Sequence, residues 1–311
     1  MKKLVSDYLN HLTLGTKQSY RNMAVFPLLC DREGSSDYLL LDEALEENLI
    51  AITEVDESGT VPELKVENRS GKNLLILDGE ELVGAKQNRI VNVTILIAAH
   101  TTLAIPVSCV EQGRWSYQSR RFTSKERIMP SRMRMKKSAA VYNSLLNDGS
   151  FTANQSETWD MINEKLSAHS VDSATASMGD IYDQEEDVID DYMKHFSALD
   201  NQVGMVVMIN NQVIGSDCFA RHGTLQRTFP KLVKSYVLDA IDADEKKKKY
   251  LSSSQKATFF LGDVENCLVK ERPSISLGTD IRLVSQKVIG SALSVDDEVV
   301  HLTAFARDEQ D

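Results

Sequence analysis

No stretch of the 311 residues is apolar over the roughly 18 to 20 positions that a membrane-crossing helix needs, and the opening "MKKLVSDYLNHL" has no signal-peptide core. The chain therefore reads as cytoplasmic. Cysteine is scarce. Cys30, Cys109, Cys218 and Cys267 stand far apart, which offers neither the paired spacing of a zinc ribbon nor a disulfide framework, so reduced and mostly buried thiols are expected. The six histidines are equally scattered and none falls in an H-E-x-x-H arrangement; no metal site and no cofactor is read from the sequence. Net positive charge is also missing. At a formal charge of -11 the field of the whole molecule repels polyanions, which confines any contact with nucleic acid or anionic membrane to a local patch.

What is present is enough apolar content, 42%, to build a core, in a pattern that points to an α+β fold. We expect an antiparallel, β-rich, sandwich-like half over 1–116, a helical part with a basic segment over 117–202, and an α/β portion over 203–311, forming one integrated unit. Strands are expected at 23–30, 49–55, 62–68 and 73–79, around a short helix at 41–49. Turn chemistry such as "SGT" separates these strands, and the five turn-like residues Asn68 to Lys72 suggest that 62–68 and 73–79 form a hairpin. Helices are expected at 131–146, 156–169 and 184–199, with "SVDSATASMGD" (170–180) as a mobile loop between the last two. A second hairpin, 203–209 with 212–219, turns at Asn210 and Asn211, whose side chains tolerate positive φ. A helix at 229–242 takes Pro230 in its first turn, Lys246 to Lys249 read as a solvated helix end, and strands fill the C-terminus.

The stretch "DGEELVGAKQNRIVN", 78–92, places Asp78, Glu80, Glu81, Lys86, Gln87, Asn88, Arg89 and Asn92 between two apolar runs, where each polar group is costly unless it finds a partner. The strands 89–97 and 103–111 alternate, and a hairpin in which facing numbers sum to about 200 buries Ile97, Ile95, Val93 and Val91 against Leu103, Ile105, Val107 and Cys109. Arg89 then faces Glu111. The following "EQGRWSYQSRRF" adds Gln112, Arg114, Trp115, Arg120 and Arg121 at the same sheet end. From Arg114 to Lys137 nine basic residues meet one acid, a local balance of +8 that leaves -19 on the remainder of the chain.

Guanidinium groups grip phosphate through paired hydrogen bonds, and an indole stacks on a base. Arg89 and Arg114 are the candidates to hold phosphate, Gln87 and Asn88 to hydrogen-bond sugar or base, Trp115 to stack, and Lys86 is a further ligand-binding candidate. Glu80 and Glu111 are the candidates for an acid and base, or for orienting the arginines. The bland alternatives stay open: Arg89 with Glu111 as a strand-tying ion pair, and the basic segment as a solvated helix face. Cys109 points into the apolar face, where a thiol has little thiolate. His222, near Asp217, Arg221 and Arg227, could reach the site from the C-terminal part or simply occupy a surface loop.

The combination "LLILDGEELVGAKQNRIVN", "IPVSCVEQGRW", "VGMVVMINNQVIGSDCF" and "KSYVLDA" resembles the bacterial domain named for its association with ADP-ribosylglycohydrolases and rhodanese-phosphatases, a domain of unknown function, from about residue 12 to 306. Gly79, Glu80, Gly84, Lys86 to Arg89, Cys109, Glu111 and Gly113 to Trp115 match its motif. The resemblance implies a role in ADP-ribose, NAD-derived or nucleotide-linked pathways and carries no reaction with it. The expected function is thus the binding or processing of a phosphorylated nucleoside. The alternative is a non-enzymatic adaptor whose basic segment, 114–137, docks an acidic protein or RNA.

Overall fold

The computed structural model describes residues 1–56, 62–243 and 253–307; the "SGT" turn and Lys246 to Lys249 lie outside the described residues. The fold is α+β, and among the described strands every pairing but one is antiparallel. A nine-stranded sheet runs in the order Thr13–Leu14, Met23–Leu29, Gln202–Ile209, Gln212–Phe219, Glu298–Ala306, Val288–Val295, Thr279–Val284 and Leu268–Pro273, with Gln18–Tyr20 also paired to Met23–Leu29. The N-terminal strands 13–29 therefore join the C-terminal sheet. A six-stranded sheet follows the order Phe122–Ile128, Glu80–Gly84, Arg89–Val91, Thr102–Cys109, Glu63–Asn68 and Ile50–Glu54, and a three-stranded one holds Ile95–Ile97, Asn73–Ile76 and Tyr38–Leu40.

The expected hairpin of 62–68 with 73–79 does not form. Glu63–Asn68 lies between Ile50–Glu54 and Thr102–Cys109, while Asn73–Ile76 pairs with Ile95–Ile97 and runs parallel to Tyr38–Leu40. Asn68 redirects the chain: its side chain donates to the Lys72 and Ala98 carbonyls and accepts from the Ser70 amide and hydroxyl. The strand expected at 89–97 is likewise divided. Val91 faces Val107 and Arg89 faces Cys109, so facing numbers sum to 198. A shift of two keeps every side chain on its expected face, because the side-chain period of a strand is two. Beyond Val91 the chain leaves for the three-stranded sheet, held at the bend by Lys137, whose ammonium donates to the Val91 and Asn92 carbonyls, and by Thr94, whose hydroxyl accepts from the Asp78 amide.

Helix Ser131–Asn147 packs between the sheets and carries two fully buried cations. Arg134 forks onto Asp217 of the nine-stranded sheet at 2.9 and 3.1 Å, and Lys137 pairs with Asp78. Helix Gln155–Ala168 matches the expectation closely. Of the helix expected at 184–199 only Glu186–Met193 forms, and a separate helix, Met178–Gln184, capped by the Ser177 hydroxyl, precedes it and begins inside the expected loop. Ser177 and Met178 also tie the 170–180 loop to the strand end at Val110 and Glu111, so this segment is a built part of the body. The helix placed at 229–242 starts at His222, with Pro230 inside it; burial of Leu225 and Phe229 offsets the hydrogen bond that the proline ring removes. Gln202–Ile209 and Gln212–Phe219 form the expected hairpin, with Asn210 and Asn211 at φ 51° and 61°. No helix among the described residues is long and apolar enough to cross a membrane.

Candidate functional site

Residues 78–92 owe their shape to a turn that ends strand Glu80–Gly84 and returns as Arg89–Val91. Gly84 adopts φ 131°, and a Cβ there would lie 2.6 Å from the Ser119 hydroxyl and 2.9 Å from the Arg121 carbonyl, so the turn needs glycine. The turn carbonyls face Arg114. Its Nε and Nη2 donate to the two oxygens of Glu111 at 2.8 and 2.6 Å, Nη1 donates to the carbonyls of Ala85 and Ser116, and Nη2 also reaches the Gly84 carbonyl and Asn88 Oδ1. Glu111 accepts in addition from the Asn88 amide and the Thr175 hydroxyl. Burial pushes this carboxyl up, but the hydrogen bonds from Arg114, Asn88 and Thr175 outweigh it and hold Glu111 below the ordinary carboxylate range. Arg114, Glu111 and Asn88 thus form a closed clamp in which the protein itself engages the arginine's donors.

Arg89 is different. It is fully buried opposite Cys109; Nη1 donates to Gln87 Oε1 at 3.1 Å, which also accepts from the Cys109 thiol, while Nε and Nη2 have no hydrogen-bond partner among the described residues. Its nearest carboxylate, Glu54, is 4.0 Å from Nη2, beyond hydrogen-bond reach. The indole of Trp115 lies over the guanidinium at 5.8 Å, and the Lys86 ammonium is held between the rings of Trp115 and Tyr117 at 5.3 and 5.1 Å. Both rings are about half exposed, at 49% and 50%. Burial pushes the Cys109 thiol up to about 11, which agrees with its reading as a core residue and not a nucleophile.

Beside this group opens a cleft of about 750 Å³ lined by Thr53, Glu54, Val55, Asp56, Lys65, Tyr117, Arg120 and Arg121. Glu54 links cleft and Arg89, since it borders both. Neither Glu54, Lys65 nor Tyr117 was a candidate from sequence alone. A signal for Glu54 exists: it shares the strand parity of Ile50 and Ile52, the buried face, where a carboxylate is out of place. Lys65, paired opposite Thr53, gives no such sign.

The structure separates the other candidates. Glu80 is buried against Lys231 and the Leu77 amide; none of these partners belongs to the clamp or to the Arg89 group. His222 pairs with Glu33 and the Cys30 carbonyl, away from the site's residues, and Asp217 belongs to Arg134. The basic segment divides as well. Arg114, Arg134 and Lys137 are buried and Arg127 is half-buried beside Glu81 and Asp183, whereas Arg120, Arg121, Lys125, Arg132 and Lys136 face outward. Among the described residues no group of three His, Cys, Asp or Glu side chains is placed to hold a metal ion.

These features define an α+β protein with a cleft lined by charged side chains and Tyr117 at the end of an antiparallel sheet. The chain belongs to the ARPP-1 family, the ARG and Rhodanese-Phosphatase-superfamily-associated Protein domain, whose model matches residues 11–305. No curated protein and no solved structure matches it.

Proposed function

We propose that the chain binds a small phosphorylated nucleoside in the cleft beside Arg89, with ADP-ribose-like and NAD-derived ligands the leading class. The observation that carries this reading is Arg89, a buried guanidinium with two nitrogens lacking partners among the described residues, set behind Glu54, which lines an open cleft. Protein interiors rarely leave such donors unmatched, and a site that receives a polar ligand is one of the places where they do. The outward cations Lys65, Arg120 and Arg121 receive phosphate, and Tyr117 and Trp115 offer ring faces for a base. Compared with the expectation from sequence, the phosphate role moves from Arg114 to the cleft cations, because the Arg114 donors are already engaged. Gln87 orients Arg89, Lys86 supports the two rings, and Asn88 belongs to the clamp. We assign binding and no reaction, since the carboxylates of Glu80 and Glu111 already hold protein partners.

Calorimetry and thermal shift against ADP-ribose, NAD and AMP test it, with an Arg120→Ala/Arg121→Ala variant whose exposed positions leave the core untouched. The variant is expected to weaken binding about tenfold or more, the loss of one or two charge-assisted hydrogen bonds. Absence of binding by all three ligands ends the proposal. A second reading, an adaptor that docks an acidic protein or RNA, is favoured by the outward row Arg120, Arg121, Lys125, Arg132 and Lys136. It gains if nucleotides fail while an acidic peptide or an RNA oligomer is retained.

A further inference from the structure

Glu54 is a buried carboxylate beside the cleft whose position the fold alone does not explain. It lies on the apolar parity of strand Ile50–Glu54, is 7% exposed, and borders the cleft. Among the described residues Oε2 accepts no hydrogen bond, and Oε1 accepts only a long one, 3.4 Å, from the Lys86 amide. Arg89 Nη2 stands 4.0 Å away, too far to donate and close enough for a single oxygen atom to bridge the two groups. Acceptor capacity on one side therefore faces donor capacity on the other.

The chemistry that fits this gap is narrow. A phosphate would meet Glu54 with like charge, and a cation would meet Arg89. A hydroxyl donates and accepts at once, so it can give its proton to the carboxylate and take a hydrogen bond from the guanidinium. A vicinal diol does this twice, once for each Glu54 oxygen. The remaining cleft supplies what a nucleotide needs on either side of its sugar: the Tyr117 ring for a base and Lys65, Arg120 and Arg121 for phosphate.

We propose that Glu54, backed by Arg89, is the specificity-determining residue of the cleft, and that it selects ligands carrying a ribose 2′,3′-diol over their deoxyribose counterparts. This rests on the nucleotide reading above and goes further by naming the sugar and the residue that reads it.

The experiment compares AMP, 2′-deoxy-AMP and 2′,3′-dideoxy-AMP by calorimetry on the full chain and on Glu54→Gln, with melting temperatures recorded for both. AMP is expected to bind at least about tenfold more tightly than the dideoxy compound. In Glu54→Gln that ratio falls toward one while the melting temperature stays near that of the parent chain. Equal affinities for AMP and dideoxy-AMP, or a ratio that survives in Glu54→Gln, overturn the assignment and leave nucleotide binding standing. Failure of all three compounds to bind removes the nucleotide reading and this inference with it. Should Glu54→Gln not fold, Glu54→Asp, which draws the carboxylate back from Arg89, takes its place, and a ratio unchanged from the parent chain overturns the assignment.

Discussion

Glu81 gives the sharpest quantitative test of how this fold treats charge. It lies on strand Glu80–Gly84 with its side chain fully buried, and neither of its oxygens accepts a hydrogen bond from a described residue. Its closest cation, Arg127, is 4.0 Å away and is already engaged by Asp183 and the Gly179 carbonyl. Burial raises the carboxyl from an ordinary 4.5 to about 7, an effect that Arg127 only partly offsets. A carboxyl that is harder to ionise in the folded state than in the unfolded one favours folding while protonated. Stability is therefore lost as pH climbs from about 4.5, where the unfolded chain ionises, to about 7, where the folded chain follows. The full cost above that window is about 3 kcal/mol, at 1.36 kcal/mol for each tenfold change in ionisation. Glu81→Gln removes the ionisation and keeps the shape. Urea unfolding of both proteins at pH 5 and pH 8 should show the variant gaining about 2.5 kcal/mol on the parent between the two conditions, since part of the loss has already occurred at pH 5, whatever constant offset the amide introduces. A difference that is flat with pH, or one that moves against the variant on going to pH 8, would refute the reasoning.

Two further outcomes follow from the same geometry. His169 holds Glu185 at 2.8 Å through Nδ1 and Asp242 at 2.6 Å through Nε2; the hydrogen bond to Asp242, with help from Glu185, raises its pKa above 6.5. Its stabilisation is complete below 6.5 and is lost as pH rises through the raised value, so His169→Ala should cost about 1 to 3 kcal/mol in urea melts at pH 6 and clearly less at pH 9. Arg114→Ala leaves Glu111 and the 84–85 carbonyls without their donor and should destabilise the chain by about 3 to 5 kcal/mol, and Arg114→Lys should recover little of it because an ammonium lacks the fork; chemical denaturation of both variants checks this.

Where local chemistry was enough, the sequence was legible. The Asn210–Asn211 hairpin, helices Ser131–Asn147 and Gln155–Ala168, and the apolar face shared by Val91, Val107 and Cys109 all follow from turn residues and periodicity. The sheet end at 84–116 was found the same way, as polar residues crowded beside apolar runs. Strand partners were not legible. Glu63–Asn68 and Asn73–Ile76 are neighbours in sequence and belong to different sheets, because each buries its apolar face against segments far along the chain. Nor could the +8 segment be divided in advance. Arg134 and Lys137 on one helix turn inward only because Asp217 and Asp78 wait in the core, while Arg132 and Lys136 remain in solvent.

What the chain determined by itself is therefore its α+β class, the period and facing of its individual strands and helices, and the existence of a polar cluster that needs partners. Tertiary structure alone decided who those partners are. Arg114 is closed off by Glu111 and the turn carbonyls, and Arg89 is left facing Glu54, a residue thirty-five positions earlier. The reason is physical: backbone propensity and hydrophobic period act over a few residues, whereas the matching of buried donors to acceptors is settled by whichever groups long-range packing brings within about 3 Å.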